Sequence, residues 1–422
     1  MIASIPFLKK RRIYQKKKIK FDRFFSPLLL LPLSLVLISS ILIQSIQRQL
    51  ERNDSLNHFL MGIFGYFVAI IISYIPLQKV KDFVFPFYIL SLFSLISVYF
   101  FGLSMYGAQR WLSLGFITFQ PSEIAKLGTL LALASAFERS YFNSIRDLLI
   151  PFSVAIVPWT LIFFQPDLGT SLVLIFLFFT LLYWAQVPIE AIAIILFCLI
   201  TSILSMVSVR LIFLWIPLIS FWAYKTFKRQ KIVTLLTLVF HGLVAKLTPF
   251  LWNVGLKDYQ KDRIILFLDP GKDPLGGGYH LLQSKIAIGS GGLFGTGLLK
   301  GKLTNLQFIP EQHTDFIFSA LGEEVGFFGS LLVVLIFFLL IWQLIKIANN
   351  ARTDFESLIV IGIASIFLFQ IIINIYMTIG LGPVTGIPLP FMSYGRTSLL
   401  INFVCMGLAL STYKRHISVK DS

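Results

Sequence analysis

Charge is what this sequence has least of. Asp, Glu, Lys and Arg make up 13% of its 422 residues, about half the share found in an ordinary soluble domain. That scarcity excludes a globule with a fully solvated surface. Only 20 residues are acidic against 36 basic ones, so a carboxylate beside an apolar stretch needs a physical reason. The two cysteines, Cys198 and Cys405, lie inside apolar runs and lack C-x-x-C spacing. A disulfide framework and a thiolate metal site are excluded, and both read as small buried hydrophobes. The five histidines form no H-E-x-x-H pattern, and only His280 and His313 stand beside other polar candidates. No Walker motif occurs. GSGGLFGTG at 289–297 has Phe294 where a dinucleotide loop needs its third glycine, and no strand precedes it.

What is present is apolar length. Hydrophobic runs fall near 25–48, 58–78, 83–102, 121–138, 148–165, 169–186, 188–208, 211–226, 232–252, 325–346, 356–380 and 397–413. Most approach the roughly 20 residues that cross a bilayer as a helix. They predict an all-α polytopic membrane protein with about twelve transmembrane helices. The first run is longer than a signal-peptide core and has no small-residue cleavage site after it, so it is expected to remain attached.

Charge placement predicts orientation. The formal net charge of +16 could suggest a nucleic-acid partner, but much of it lies in KKRRIYQKKKIKFDR, ahead of the first run. That cluster reads as a cytoplasmic anchor attracted to anionic membrane lipids, and no nucleic-acid partner is expected. With the N-terminus inside, the even-numbered connections carry Lys79, Lys81, Arg139 and Arg146. The later ones carry Lys225, Lys228, Arg229, Lys231, Lys346 and Arg352. The tail, with Lys414-Arg415-His416, returns to the cytoplasm. Arg48 and Arg52, in the first outer connection, are a minor exception. The division predicted is a basic cytoplasmic segment over 1–24, one transmembrane domain over 25–413 and a cytoplasmic tail over 414–422. Three polar stretches then face outward, near 103–120, 253–315 and 381–396. The longest is expected to hold short interfacial helices joined by turns.

Ionisable groups at the rim of a membrane normally face a cavity or each other. GAQRW places Arg110 beside Trp111, which alone could be a belt residue. In FQPSEIAK, Pro121 can open a helix, and Glu123 and Lys126 share one face three residues apart. The bland alternative is that this pair neutralises itself. QPDLGT breaks a run at Pro166 and Gly169 and exposes Asp167, otherwise a helix cap. The fourth stretch, FIPEQHTDFIFSALGEEVGFFG at 308–329, concentrates Glu311, Asp315, Glu323 and Glu324. In a helix starting near Thr314, Asp315, Ser319 and Glu323 would share one face and form a polar stripe descending from the outer surface. Arg110 and Lys126 could supply a cationic side suited to pyrophosphate.

GAQRWLSLGFITFQPSEIAK, QPDLGT, YHLLQSKIAIGSGG, PEQHTDFIFSALGEE and GIPLPFMSYG together resemble the SEDS family (shape, elongation, division and sporulation), most closely its RodA branch. The resemblance spans roughly residues 25–413 with five motifs in order. It implies a SEDS-type helical bundle that polymerises lipid II, the undecaprenyl-pyrophosphate-linked disaccharide peptide, at the outer face of the bacterial cytoplasmic membrane. The expected role is in elongation and rod shape. The partners implied are a class B penicillin-binding protein transpeptidase and other elongation-complex membrane proteins. The family's essential aspartate falls on Asp315. Trp111, Arg110, Glu123 and Lys126 match further pocket positions, and Asp167, Ser319, Glu323 and Ser393 are counted with the substrate-binding residues. Two departures stand out. Arg396 follows Tyr394-Gly395 where members commonly have a second glycine, which predicts altered loop geometry. Members typically have ten membrane helices, whereas 188–252 holds three candidate spans in place of one, an extra helical pair.

The implied chemistry needs a base for the acceptor hydroxyl and positive charge for the departing pyrophosphate. Asp315 is the candidate base. Alternatively, Asp315 with Glu323 or Glu311 could hold a divalent cation, Mg²⁺ or Mn²⁺. Two rival functions share the same features: a lipid-linked precursor transporter or flippase, and a non-catalytic scaffold of the elongation complex.

Overall fold

The structure is a computed structural model that describes residues 27–48, 53–105, 108–114, 117–138, 145–227, 230–256, 258–269, 277–306, 308–309 and 312–418. The basic N-terminal cluster and Glu311 lie outside the described residues. Twelve long helices occupy the twelve apolar runs. They are α1 (Pro27–Ile46), α2 (Asp54–Ile72), α3 (Leu77–Phe101), α4 (Pro121–Glu138), α5 (Leu149–Phe164), α6 (Leu168–Trp184), α7 (Ile189–Val207), α8 (Val209–Thr226) and α9 (Gln230–Phe250). Three short helices follow, α10 (Asp258–Leu268), α11 (Gly277–Ser290) and α12 (Lys302–Asn305). The bundle closes with α13 (Ile317–Asn349), α14 (Asp354–Thr378) and α15 (Arg396–Ser418). Eight of these are long and apolar enough to cross a membrane, and α5 and α6 are shorter apolar helices. The protein is therefore a polytopic all-α membrane protein.

Local chemistry explains several helix boundaries. Pro27 and Pro121 open α1 and α4, where a missing N–H costs nothing. Thr353 caps α14 by accepting from the Glu356 amide, the first half of a capping box. One contiguous apolar core joins α1 to α6 with α13 to α15 and includes Leu35, Leu130, Leu177, Phe337, Phe367 and Phe403. Helix α2 packs along α15, α13 along α14, and α4 against α3, α14 and α6. Large apolar side chains such as Phe83, Phe85, Phe100 and Phe101 point outward, as a lipid-facing surface requires. Helices α7 to α9, the segment predicted to carry the extra pair, pack on one another around Ile194, Ala223 and Val233.

The stretch 103–120 is not an irregular loop. It folds as a three-stranded antiparallel sheet, β1 (Leu103–Met105), β2 (Ala108–Leu114) and β3 (Ile117–Phe119). The long stretch 253–315 holds α10 to α12, in line with the short helices predicted there.

The glycines of GSGGLFGTG serve packing rather than a nucleotide. Helix α13 is broken at Gly326, whose φ is 72°, a conformation that favours glycine. The break frees the carbonyls of Glu323 and Glu324, which accept from the amides of Thr296 at 2.9 Å and Gly297 at 3.0 Å. A Cβ at Gly291 would fall 1.9 Å from the Gly322 carbonyl oxygen. Only a bare backbone can approach that closely.

Candidate active site

Asp315 lies in a turn over 312–316, immediately before α13. Sequence periodicity placed it inside a helix starting near Thr314, and that expectation is corrected. The helix begins at Ile317 because the preceding carbonyls are taken by distant partners. His313 O accepts the Tyr394 amide at 2.9 Å. Asp315 O accepts the Asn374 side-chain amide at 2.8 Å. Asn374 donates equally to Ile387 O at 2.8 Å and is fully buried. One amide on α14 thus ties the Asp315 turn to the loop that precedes α15.

The carboxylate of Asp315 faces that loop. Gly386 has φ 71°, and a Cβ there would sit 3.3 Å from Asp315 Oδ2 and 3.8 Å from Arg263 Nη1. A carboxylate and a guanidinium therefore flank the same bare stretch of backbone. Arg263 comes from α10 and donates to Thr385 O at 3.2 Å. Beside this centre, the His280 ring lies tilted 6.4 Å from that of Phe316, and burial pushes its imidazole below the ordinary range.

A second polar group adjoins the first. Asp167 caps α6 and accepts from the Thr170 amide at 3.2 Å, Thr170 Oγ1 at 2.9 Å, Gln120 at 3.2 Å and Ser122 at 3.3 Å. Arg110 donates to the Pro166 carbonyl. Gly169 lies against the 385–387 loop, where a Cβ would meet Ile387 at 2.8 Å and Thr385 O at 3.1 Å. The loop therefore joins the QPDLGT break to the Asp315 turn. Leu103 pairs with Trp111 and Ser104 with Gln109, so Arg110 is the extra residue of a bulge in β2, a feature that re-aims a side chain. Arg110 reaches the Pro166 carbonyl at the start of α6, and Trp111 is half-buried.

The remaining sequence candidates are engaged elsewhere. Glu123 and Lys126 form a 2.8 Å ion pair with both side chains 4% exposed, so Lys126 is not an open cation on the outer surface. Ser319 is fully buried, accepts from Gln312 at 3.1 Å and donates to Phe316 O at 2.7 Å. Glu323 accepts from the amides of Leu303 at 2.8 Å and Thr304 at 2.9 Å, and from Thr304 Oγ1 at 2.6 Å. It fastens α12 to the bundle. Ser393 accepts from the Leu389 amide at 2.7 Å within its own loop. The polar stripe is therefore not a cavity wall. Asp315 and Glu323 also face different partners, and no cluster of three or more His, Cys, Asp or Glu suited to a metal exists among the described residues. These residues do not fit a divalent site.

Arg396 does not distort its loop. It opens α15, and neither it nor Gly395 has a positive φ. Its side chain meets the Tyr394 hydroxyl, which donates to Asp54 at 2.9 Å. Burial first, and then Asp54, push the Tyr394 hydroxyl above its ordinary range.

Sequence reasoning missed Arg263 and Asn374. Asn374 did carry a signal, as a lone amide inside an apolar helix. Arg263 is one of several charges in a polar loop, and only its proximity to Gly386 distinguishes it.

Residues 22–237 and 211–416 match the FtsW/RodA/SpoVE family, described as cell cycle proteins. The two matches overlap across α8 and α9. The chain is 34% identical to the peptidoglycan glycosyltransferase MrdB of Escherichia coli (strain K12), over 93% of this chain and 94% of the relative. It is 31% identical to the peptidoglycan glycosyltransferase RodA of Treponema pallidum (strain Nichols), over 86% and 90%. Among solved structures, it resembles a chain of a peptidoglycan synthase complex described as coordinating polymerization and crosslinking. That likeness has a TM-score of 0.70 and 26% identity over 92% of this chain and 97% of the other. The fold of Thermus thermophilus rod shape determining protein RodA is also similar, with a TM-score of 0.61, 24% identity and coverage of 92% and 96%.

Proposed function

This chain belongs to the RodA branch of the FtsW/RodA/SpoVE family, and we propose that Asp315 is the base with which it polymerises lipid II. It is a peptidoglycan glycosyltransferase that serves cell elongation. The observation that carries the reading is the pairing of Asp315 and Arg263 across Gly386. The acceptor sugar hydroxyl gives its proton to the Asp315 carboxylate as its oxygen bonds to the donor's anomeric carbon. The bond from that carbon to the pyrophosphate oxygen breaks, and the lipid pyrophosphate leaves as an anion. Arg263 stabilises the departing charge, since a guanidinium offers five donors in a planar fork suited to phosphate oxygens. Gly386, with no side chain, lets its loop backbone approach both groups. Arg110 holds the Pro166 carbonyl and so positions the QPDLGT break beside the loop. The test is polymerisation of lipid II by the purified full chain. A flippase or scaffold would yield no glycan in that assay.

Arg110→Lys is expected to lower turnover about five-fold. Lysine keeps the charge but loses the rigid fork, a loss on the order of 1 kcal/mol for one hydrogen bond. Steady-state rates in matched detergent check this, and equal rates would reduce Arg110 to an interfacial anchor.

The chain acts in the cytoplasmic membrane with both termini inside and with residues 25–413 as one transmembrane domain. It works alongside a class B penicillin-binding protein and further elongation-complex membrane proteins. Similarity to a chain of a peptidoglycan synthase complex supports the first partnership. A reporter fused after Lys231 should read cytoplasmic and one near Lys272 external, following the basic flanks. Identical readings from both would remove this topology.

A further inference from the structure

Between α7 and α8 lies a cavity of about 370 Å³, bounded by Phe197 of α7 and by Trp215, Leu218, Trp222 and Lys225 of α8. These α8 positions recur every three or four residues and so form one stripe. Ten residues separate Trp215 from Lys225, about 15 Å of helix, or roughly half the thickness of a hydrocarbon core. The groove therefore runs the depth of one leaflet. Its walls are held in place. The Phe197 ring stands edge-on to Trp215 and to Trp222, each at 5.8 Å. The Trp215 indole donates to Thr201 Oγ1 at 3.1 Å, and Thr201 Oγ1 lies 2.7 Å from His241 Nδ1. That indole thus turns its N–H away from the groove.

One end of this apolar groove is cationic. Lys225 is exposed in the last turn of α8, its ammonium 4.7 Å from the centre of the Phe221 ring. Lys228, Arg229 and Lys231 follow within six residues, and Lys231 is exposed. Four cations so close together assign this end to the cytoplasmic leaflet, whose lipids are partly anionic.

We propose that the groove is a site for an anionic phospholipid, with an acyl chain along the aromatic wall and the headgroup phosphate at Lys225. Charge decides against a zwitterionic lipid, whose own cation would meet the Lys225 ammonium that lines the groove. The proposal is independent of the chemistry at Asp315.

The experiment uses the delipidated full chain in detergent, titrated with dioleoyl-phosphatidylglycerol or dioleoyl-phosphatidylcholine and read by native mass spectrometry. Wild type is expected to bind one phosphatidylglycerol at least about five-fold more tightly than phosphatidylcholine, and soluble glycerol phosphate is expected not to compete. Lys225→Gln, a change at an exposed position, should erase the preference while leaving phosphatidylcholine binding unchanged. Trp222→Ala should weaken both lipids. Equal affinities in the wild type, an unchanged preference in Lys225→Gln, competition by glycerol phosphate, or a second copy of the chain occupying this face would each overturn the proposal. If Trp222→Ala does not fold, Lys225→Gln decides alone.

Discussion

Replacing Asp315 by asparagine is expected to abolish lipid II polymerisation while leaving abundance and membrane insertion normal. The substitution preserves shape and leaves the Asn374 hydrogen bond intact, because that bond is made to the Asp315 backbone carbonyl. The close approach of the Gly386 backbone is also kept. What disappears is the capacity to accept a proton. A positioned general base contributes about 10²- to 10⁴-fold to a rate, enough to take glycan product below detection in a gel assay. Purified protein, compared with wild type at equal concentration and equal thermal stability, gives the measurement. Near wild-type polymer from Asp315→Asn would remove the base from this position.

Arg263→Gln is expected to lower turnover about ten- to a hundred-fold. Arg263 reaches the Thr385 carbonyl and stands within 4 Å of the point that a Gly386 Cβ would occupy. Glutamine has an amide donor for the carbonyl but carries no charge. The loss is that of a charge-assisted hydrogen bond to phosphate, about 1.5–3 kcal/mol, converted at 1.36 kcal/mol per decade of rate. Steady-state turnover over a range of lipid II concentrations separates the two roles of the side chain. A loss confined to kcat would mark charge stabilised only as the pyrophosphate departs, whereas a loss confined to KM would mark ground-state binding. An unchanged kcat/KM would assign Arg263 to holding the loop alone.

The distribution of polar groups also bears on the transport alternative. The Glu123–Lys126 pair is the kind of buried charge transporters use, but it is closed on itself at 2.8 Å. The groups around Gly386 instead gather where three connecting segments meet, at the turn before α13, the loop before α15 and the start of α6. An enzyme acting on a headgroup outside the membrane needs its polar residues at that level. A carrier needs them near the midplane.

Membrane character and helix positions were determined by the sequence itself, because each depends on consecutive residues. An apolar run long enough to span a bilayer is complete in its own stretch of chain, and so are the cap at Thr353 and the break at QPDLGT. The concentration of carboxylates around Asp315 was equally plain, since acidic residues are rare in this chain. Which way those carboxylates face could not be read locally. Periodicity put Asp315, Ser319 and Glu323 on one stripe, but the Asp315 carbonyl is captured by Asn374, 59 positions away, so the helix starts later. Glu323 turns to Thr304, 19 positions away. Arg263, 52 positions before Asp315, stands out only because folding brings it to Gly386. Each of these outcomes was settled by hydrogen bonds and close backbone approaches between segments distant in the chain. A buried polar group takes the partner that the packed helices bring within about 3 Å, and only the tertiary structure determines which partner that is.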